Sequence, residues 1–151
     1  MTYTDENRGT FQNNARAKQL IRFDGMTFEN ISPTDIDAFI EYHDKAYVLF
    51  ECKSGDADMS RGQRLALERM TDDLQRAGKE TVLLICEHNV PCCDDVFLKQ
   101  TAVRRYYRKK RYHETKGKLT AREFADKFLK YVEVNDEKSN NSFGNSSGLH
   151  L

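Results

Sequence analysis

Two apolar stretches flank one strong helical pattern, and this order limits the folds open to the chain. Residues 80–89, ETVLLICEHN, are almost continuously apolar and end at turn formers, as is typical of a central strand covered on both faces. Residues 46–53, AYVLFECK, are rich in aromatic and β-branched side chains and predict a second buried strand. Between them, residues 60–77 repeat apolar side chains at helical spacing, and Gly78 follows as a stop. A strand, a crossover helix and a strand predict a parallel pair with a right-handed connection.

Weaker patterns surround this unit and complete the predicted topology. The chain before it predicts a short helix, the beginning of the sheet and an alternating strand, at residues 10–22, 25–31 and 35–42. After it, residues 103–114 predict either a final edge strand or an extended basic loop. The predicted fold class is α/β, with a central mixed β-sheet flanked by helices.

The buried faces of the two main helices can be predicted from apolar spacing. For the first helix they are Ala66, Leu67, Met70, Leu74 and Ala77. The last helix opens with a capping-box pattern, and its predicted buried residues are Phe124, Phe128 and Tyr131. Residues 1–134 predict a single domain, and the Asn-, Ser- and Gly-rich residues 135–151 predict a flexible tail.

Charge is balanced over the chain, with 24 basic and 24 acidic residues, but it is unevenly distributed. Residues 29–58 hold eight acids and two bases, whereas residues 99–118 hold nine bases and one acid. No apolar run approaches the roughly 18 residues of a membrane span, which predicts no membrane partner. The first residues contain no apolar signal region, which predicts a cytoplasmic protein with reduced cysteines.

Residues 33–55 place charged side chains at alternate positions of a predicted hairpin. If the turn is centred on Asp44, Asp37 faces Glu51 and Asp35 faces Lys53 across the two strands. Paired carboxylates repel each other unless a cation lies between them, and their hard oxygens suit Mg²⁺ or Mn²⁺. Lys53 projects to the same side as Glu51, where it would orient or deprotonate a water and stabilise developing negative charge. This set predicts metal-dependent hydrolysis of a phosphodiester.

The same stretch resembles the PD-(D/E)xK nuclease superfamily, which includes restriction endonucleases and Holliday-junction resolvases. The resemblance rests on TDID at residues 34–37, followed after a spacer by ECK at residues 51–53. It implies a restriction endonuclease-like core in which Asp37, Glu51 and the backbone carbonyl of Cys52 hold the metal and Lys53 is catalytic. Many members of the superfamily carry a glutamine on the helix after the lysine strand, which implies a supporting role for Gln63.

Each of these residues also has a structural interpretation. Asp37, Glu51 and Lys53 would, in the alternative, lie on a solvated face of the sheet, where Lys53 forms an ordinary ion pair with an acid. The apolar residues around Glu51 argue against such an exposed strand. Either Asp35 or Asp37 would be the principal acid, and Asp35 is otherwise the residue that sets the strand entry. The cysteines and histidine of residues 86–93 lack the usual spacing of zinc ligands and predict structural thiols.

The basic segment offers a contact for a polyanion. Its cationic side chains alternate with tyrosines, so it could follow a phosphate backbone while the tyrosines pack on sugars or bases. The candidate nucleic-acid-binding residues are Arg104, Arg105, Arg108, Lys109, Lys110 and Arg111. The alternative is an edge strand whose charges discourage aggregation.

These patterns together predict a small Mg²⁺-dependent deoxyribonuclease, with RNA open as a substrate. So short a chain has little surface for a long recognition interface, which favours a resolvase-like or nicking role over sequence-specific restriction. A homodimer would suit two cuts at one junction, although the sequence shows no interface. The alternatives are a catalytically inactive nucleic-acid-binding module of the same fold and an interaction protein that binds a basic partner through its acidic segment.

Overall fold

The computed structural model of the chain describes residues 19–116 and 118–144, with side chains through residue 141. The chain divides into two compact units at Pro33, and each is described separately. The second unit contains a five-stranded mixed sheet flanked by two helices. Its elements are β1 (Ala38–Tyr42), β2 (Ala46–Ser54), α1 (Arg61–Arg76), β3 (Glu80–His88), one turn of 3₁₀ helix (Leu98–Gln100), β4 (Ala102–Arg108), β5 (Arg111–Glu114) and α2 (Ala121–Gly144).

The strands lie in the sheet in the order in which they occur along the chain, from β1 to β5. The β2–β3 pair is parallel and is joined through α1, whereas the other three pairs are antiparallel. The predicted α/β class, with a central mixed sheet flanked by helices, is therefore confirmed. Among the described residues, no helix is both long and apolar enough to cross a membrane.

Both faces of the sheet are buried because side chains alternate along the two central strands. One face packs against α2 and the other packs against α1. Toward α2 the core includes Val48, Phe50, Val82, Leu84, Ala121, Ala125, Phe128 and Val132. Toward α1 it includes Leu49, Leu83, Ile85, Met59, Tyr107 and Leu67.

The buried face of α1 differs from the predicted apolar stripe. Leu67 is buried as predicted, but Met70 is 45% exposed and Ala66 and Ala77 are exposed as well. Thr71 is fully buried instead, and its hydroxyl donates to the carbonyl of Leu67 at 2.8 Å. Because this polar group is satisfied within the helix, its burial carries little penalty, and apolar spacing alone could not identify it.

The capping box predicted for α2 is present. The Glu123 carboxylate accepts from the backbone N–H of Thr120 at 2.9 Å, and the Thr120 hydroxyl oxygen accepts from the backbone N–H of Glu123 at 3.2 Å. Phe128 is buried as predicted, whereas Tyr131 is 42% exposed, so its assignment to the buried face was wrong.

Helix α2 continues to Gly144, well into the segment predicted to be a flexible tail. Lys45, just before β2, contacts the helix at this level, with Nζ 2.8 Å from Asp136 and 3.8 Å from Glu133. The Asn- and Ser-rich composition of residues 135–144 therefore placed the end of the helix too early.

The basic segment forms a two-stranded hairpin rather than a single edge strand or a loop. Arg108 and Arg111 end β4 and begin β5, and the turn consists of Lys109 and Lys110 with φ of 51° and 59°. Positive φ at both turn positions gives the twist that a two-residue hairpin requires.

In the first unit, Phe28 and Ile31 exchange backbone hydrogen bonds of 2.9 Å around a turn in which Glu29 has a φ of 55°. The chain pairs with itself there, so the prediction that residues 25–31 begin the sheet was wrong. The helix predicted at residues 10–22 lies mostly outside the described residues, and residues 19–22 have no regular structure.

Candidate active site

The register of the first hairpin is the one predicted from the sequence. The β1–β2 ladder pairs Ala38 with Phe50 and Tyr42 with Ala46, and His43 and Asp44 form the turn with φ of 49° and 59°. In this register Asp37, one residue before β1, lies at the level of Glu51. The hairpin therefore brings the two carboxylates to neighbouring positions, as expected.

Glu51 lies in the middle of β2 on the face that packs against α1. Its side chain is 3% exposed. Its Oε1 accepts from Lys53 Nζ at 2.7 Å and from Gln63 Nε2 at 2.8 Å. Its Oε2 is buried and has no hydrogen-bond partner among the described residues. Half of this carboxylate therefore lacks the partner that a buried charge requires.

Lys53 and Gln63 complete a closed triangle with Glu51. Lys53 Nζ donates to Gln63 Oε1 at 3.2 Å. Gln63 belongs to the first turn of α1, where its backbone N–H donates to the hydroxyl of the N-cap residue Ser60 at 3.2 Å. Two strand residues and one helix residue predicted to act together are thus in direct contact, and Ser60 is the cap that fixes the helix start beside them.

Asp37 approaches the same region from the edge strand. Its Oδ2 accepts from the backbone N–H of Cys52 at 2.6 Å. Asp35 is exposed and has no hydrogen bond or ion pair within the described part of the chain. The predicted pairing of Asp35 with Lys53 is not formed, because the ladder begins only at Ala38. The contacts favour Asp37 over Asp35 as the principal acid.

Burial raises the pKa of the Glu51 carboxyl above its ordinary value. The hydrogen bond from Lys53 opposes this rise, and the charge of Asp37 adds to it. The cationic neighbour is therefore insufficient to offset the desolvation of the carboxylate. A second positive charge near Oε2 would favour the ionised form.

The donor set is a partial match for a divalent cation. In the described residues no three His, Cys, Asp or Glu side chains converge on one point. Two carboxylates, Asp37 and Glu51, lie on neighbouring strands, and one buried oxygen of Glu51 lacks a partner. Mg²⁺ commonly takes one or two carboxylates and fills its other positions with waters and substrate oxygens, so the side chains present fit such a site. The role of the Cys52 carbonyl as a further ligand stays a prediction.

Two of the predicted nucleic-acid-binding arginines bind acids of this chain. Arg105 lies two strands away from Glu51, because both residues pair with Ile85 of β3. Two interstrand spacings separate them, which is about 10 Å. Its guanidinium contacts Asp58 at 2.7 Å. Arg104 lies 3.9 Å from both Asp58 and Glu87. The acidic and basic segments of the sequence thus neutralise each other in part, and their opposite charge was the signal that could have identified Asp58.

The remaining basic residues of the segment lie at the other end of the sheet. Arg108 contacts Glu80 at 2.5 Å and lies over the ring of Tyr131 at 5.0 Å, which makes it a structural residue of the α2 face. By contrast, the turn residues and the residue that follows them are exposed and form no ion pair among the described residues; they are Lys109, Lys110 and Arg111.

The cysteines of residues 86–93, interpreted from the sequence as structural thiols, differ in their burial. Cys52 and Cys86 face each other across β2 and β3, and Cys86 is fully buried. A hydrogen bond between the two thiols raises the pKa of Cys86 and lowers that of Cys52. Cys92 and Cys93 are exposed neighbours with their Sγ atoms 3.8 Å apart.

The chain matches no protein-family model, no curated protein and no solved structure. The assignment of a function therefore depends on the geometry of the site alone.

Proposed function

We propose that this chain is a metal-dependent deoxyribonuclease with a restriction endonuclease-like core. The observation that carries the proposal is the closed contact of Glu51, Lys53 and Gln63 beside Asp37, in the hairpin register that a paired acid site requires. The parallel strand–helix–strand unit that holds these residues supports the same proposal.

Asp37 and Glu51 would hold Mg²⁺ or Mn²⁺, which when bound supplies Lewis-acid stabilisation of the phosphate oxygens and a water of lowered pKa. Lys53 contributes a positive charge that is held on one side by Glu51 and on the other by Gln63. From there it orients a water for attack and stabilises the negative charge that develops on the phosphorus-bound oxygens. Gln63 contacts both the ammonium group and the carboxylate, and so holds Lys53 and Glu51 in one arrangement.

The alternative is a catalytically inactive nucleic-acid-binding module of the same fold. One observation favours it: an Asp37 oxygen is already bonded to the Cys52 amide, and the described residues supply only two carboxylates at this point. The intact set of two acids and a lysine favours the enzyme.

The test compares wild type, Lys53→Ala and Lys130→Ala on plasmid, linear and branched DNA and on RNA, in Mg²⁺, in Mn²⁺ and in EDTA. Lys130 is an exposed lysine of α2 and serves as the matched control. We expect cleavage that requires the metal, is lost in Lys53→Ala and is unchanged in Lys130→Ala. Preference for branched or supercoiled DNA would support a resolvase-like or nicking role. A wild type that binds DNA but cleaves none of these substrates would support the binding module.

A further inference from the structure

The first turn of α1, residues 61–64 with the sequence RGQR, contains features that the fold does not explain. Positive charge is unfavourable at a helix N-terminus, where acidic residues are preferred, by about 0.3–1 kcal/mol per charge. Yet this turn carries Arg61 and Arg64 and no acid. Arg61 is exposed and has no ion pair among the described residues, and Arg64 lies 3.8 Å from Glu68.

Gly62 is the second unexplained feature. A glycine lowers helix stability by up to about 1 kcal/mol relative to alanine. A Cβ added at Gly62 would meet no described atom within 4 Å, and its backbone does not have the positive φ that favours glycine. Neither packing nor conformation of the chain requires glycine here. Such a position is expected where another molecule approaches the backbone closely.

The first turn also has free donors. The N–H groups of Gln63 and Arg64 are bonded to Ser60, which leaves those of Arg61 and Gly62 without an acceptor among the described residues. Donors at a helix N-terminus, together with the helix dipole and two arginines, form an anion-binding surface.

The buried carboxylate beside this turn is a second observation that points to a ligand. Gln63 bonds the turn directly to Glu51, whose Oε2 lies buried without a partner in the described structure. The Lys53 ammonium reaches only Oε1 of this carboxylate, so Oε2 has room for a further cation, and the adjacent turn offers binding groups for an anion. A phosphate group that carries a divalent cation satisfies both at once.

We propose that residues 61–64 bind a phosphate group of the nucleic-acid backbone next to the Glu51 carboxylate, with Arg61 and the N–H groups of the turn as its contacts. The inference rests on the proposed function for the identity of the polyanion. It adds a contact to the nucleic-acid strand beside the site, where Arg104 and Arg105 already form ion pairs with acids of the chain.

The test uses two variants that affect the turn in different ways. Gly62→Ala meets no atom of the folded chain, so its melting temperature should equal or exceed that of wild type, while the new methyl group obstructs the phosphate. Arg61→Ala removes one charge-assisted contact, which corresponds to about a tenfold loss of affinity. Arg69→Ala, an exposed arginine further along α1, is the matched control.

Binding of a fluorescent single-stranded and a duplex DNA oligonucleotide is measured by anisotropy in Mg²⁺, with Lys53→Ala as the background so that the strands stay intact. Cleavage is measured in the otherwise wild-type protein. We expect Gly62→Ala and Arg61→Ala each to weaken binding and cleavage about tenfold, and Arg69→Ala to match its parent. Arg61→Ala should also reduce the slope of log K against log salt by about one.

Full binding and cleavage by both variants would overturn the inference and leave the proposed function intact. A wild type that cleaves no DNA refutes the proposed function, and the binding comparison then decides the phosphate site by itself. If the Lys53→Ala parent does not bind DNA, or if Arg69→Ala loses as much affinity as Arg61→Ala, the site is refuted.

Discussion

Replacement of the buried Glu51 by glutamine should stabilise the protein in the absence of a metal, while abolishing the proposed cleavage of DNA. The carboxylate has one oxygen with two donors and one oxygen with none among the described residues, and burial holds its pKa above the ordinary value. A polar group buried without a partner costs about 1–3 kcal/mol, and more when charged. Glu51→Gln keeps the shape and removes the charge but gives up the ion pair with Lys53. We therefore expect a net gain on the order of 1 kcal/mol at neutral pH.

The sign of the pH dependence follows from the direction of the pKa shift. Because the folded state holds the Glu51 proton to higher pH than the unfolded chain, the wild type loses stability as pH rises from the unfolded pKa, near 4.3, through the raised folded pKa. Glu51→Gln does not titrate. Its advantage over wild type should therefore be largest at pH 7–8 and should disappear near pH 4.

Urea denaturation followed by far-UV circular dichroism, in EDTA and in Mg²⁺, measures both effects. Glu114→Gln, at an exposed position of β5, is the control and should change stability by less than about 0.5 kcal/mol. Saturation with Mg²⁺ at 100 times its Kd should add about 2.7 kcal/mol to wild type and little to Glu51→Gln, so that their order reverses. A Glu51→Gln protein that is less stable than wild type in EDTA at pH 7, or that gains equally from Mg²⁺, would refute the reasoning.

Three further predictions concern the fold around the site. Leu67→Ala should lower the free energy of unfolding by about 2–5 kcal/mol by opening a cavity under the sheet, whereas Leu65→Ala, at a position 41% exposed, should cost much less; equal losses by denaturation would contradict the assigned core. Burial raises the pKa of Tyr107 to about 12, and its hydroxyl donates to an α1 carboxylate at 3.1 Å. Tyr107→Phe should therefore lower the free energy of unfolding by about 1 kcal/mol at neutral pH. This difference should narrow between about pH 10 and 12, because the raised pKa makes the wild type less stable as pH rises through this range. Lys45→Ala should raise amide exchange in the last turns of α2 and leave global stability within about 1 kcal/mol, as measured by hydrogen–deuterium exchange.

The sequence was sufficient for those parts of the fold that are determined by local pattern. A turn centred on Asp44, with one residue on each side of it between the strands, and the period-two alternation of the strands predicted the register, and with it the proximity of Asp37 to Glu51. Parallel pairing of the central strands followed from the helix between them. The helix start at Ser60 then placed Gln63 in the first turn of α1, where it contacts Lys53.

The sequence was insufficient where partners are distant along the chain. Arg105 and Asp58 are 47 residues apart, and no periodicity reveals that they meet. The Thr71 hydroxyl is satisfied by a hydrogen bond inside the helix, and α2 is contacted at Asp136 by Lys45, which precedes β2. The assignment of all the basic residues to one DNA-binding surface ignored the acids that the fold brings against two of them.

This neutralisation changes which residues would make phosphate contacts. The charges of Arg104 and Arg105 are partly neutralised by nearby acids, so these arginines attract a phosphate at the site end of the sheet less than unpaired arginines would. The exposed cationic side chains without an acidic partner among the described residues include Arg61, beside the site, and those of the β4–β5 turn at the other end. Each phosphate contact adds about 0.9 to the slope of log K against log salt for duplex DNA. If the nucleic acid contacts only the site, replacement of the turn lysines should leave this slope unchanged. If the nucleic acid extends along the sheet to the turn, each lysine replaced should reduce the slope by about one.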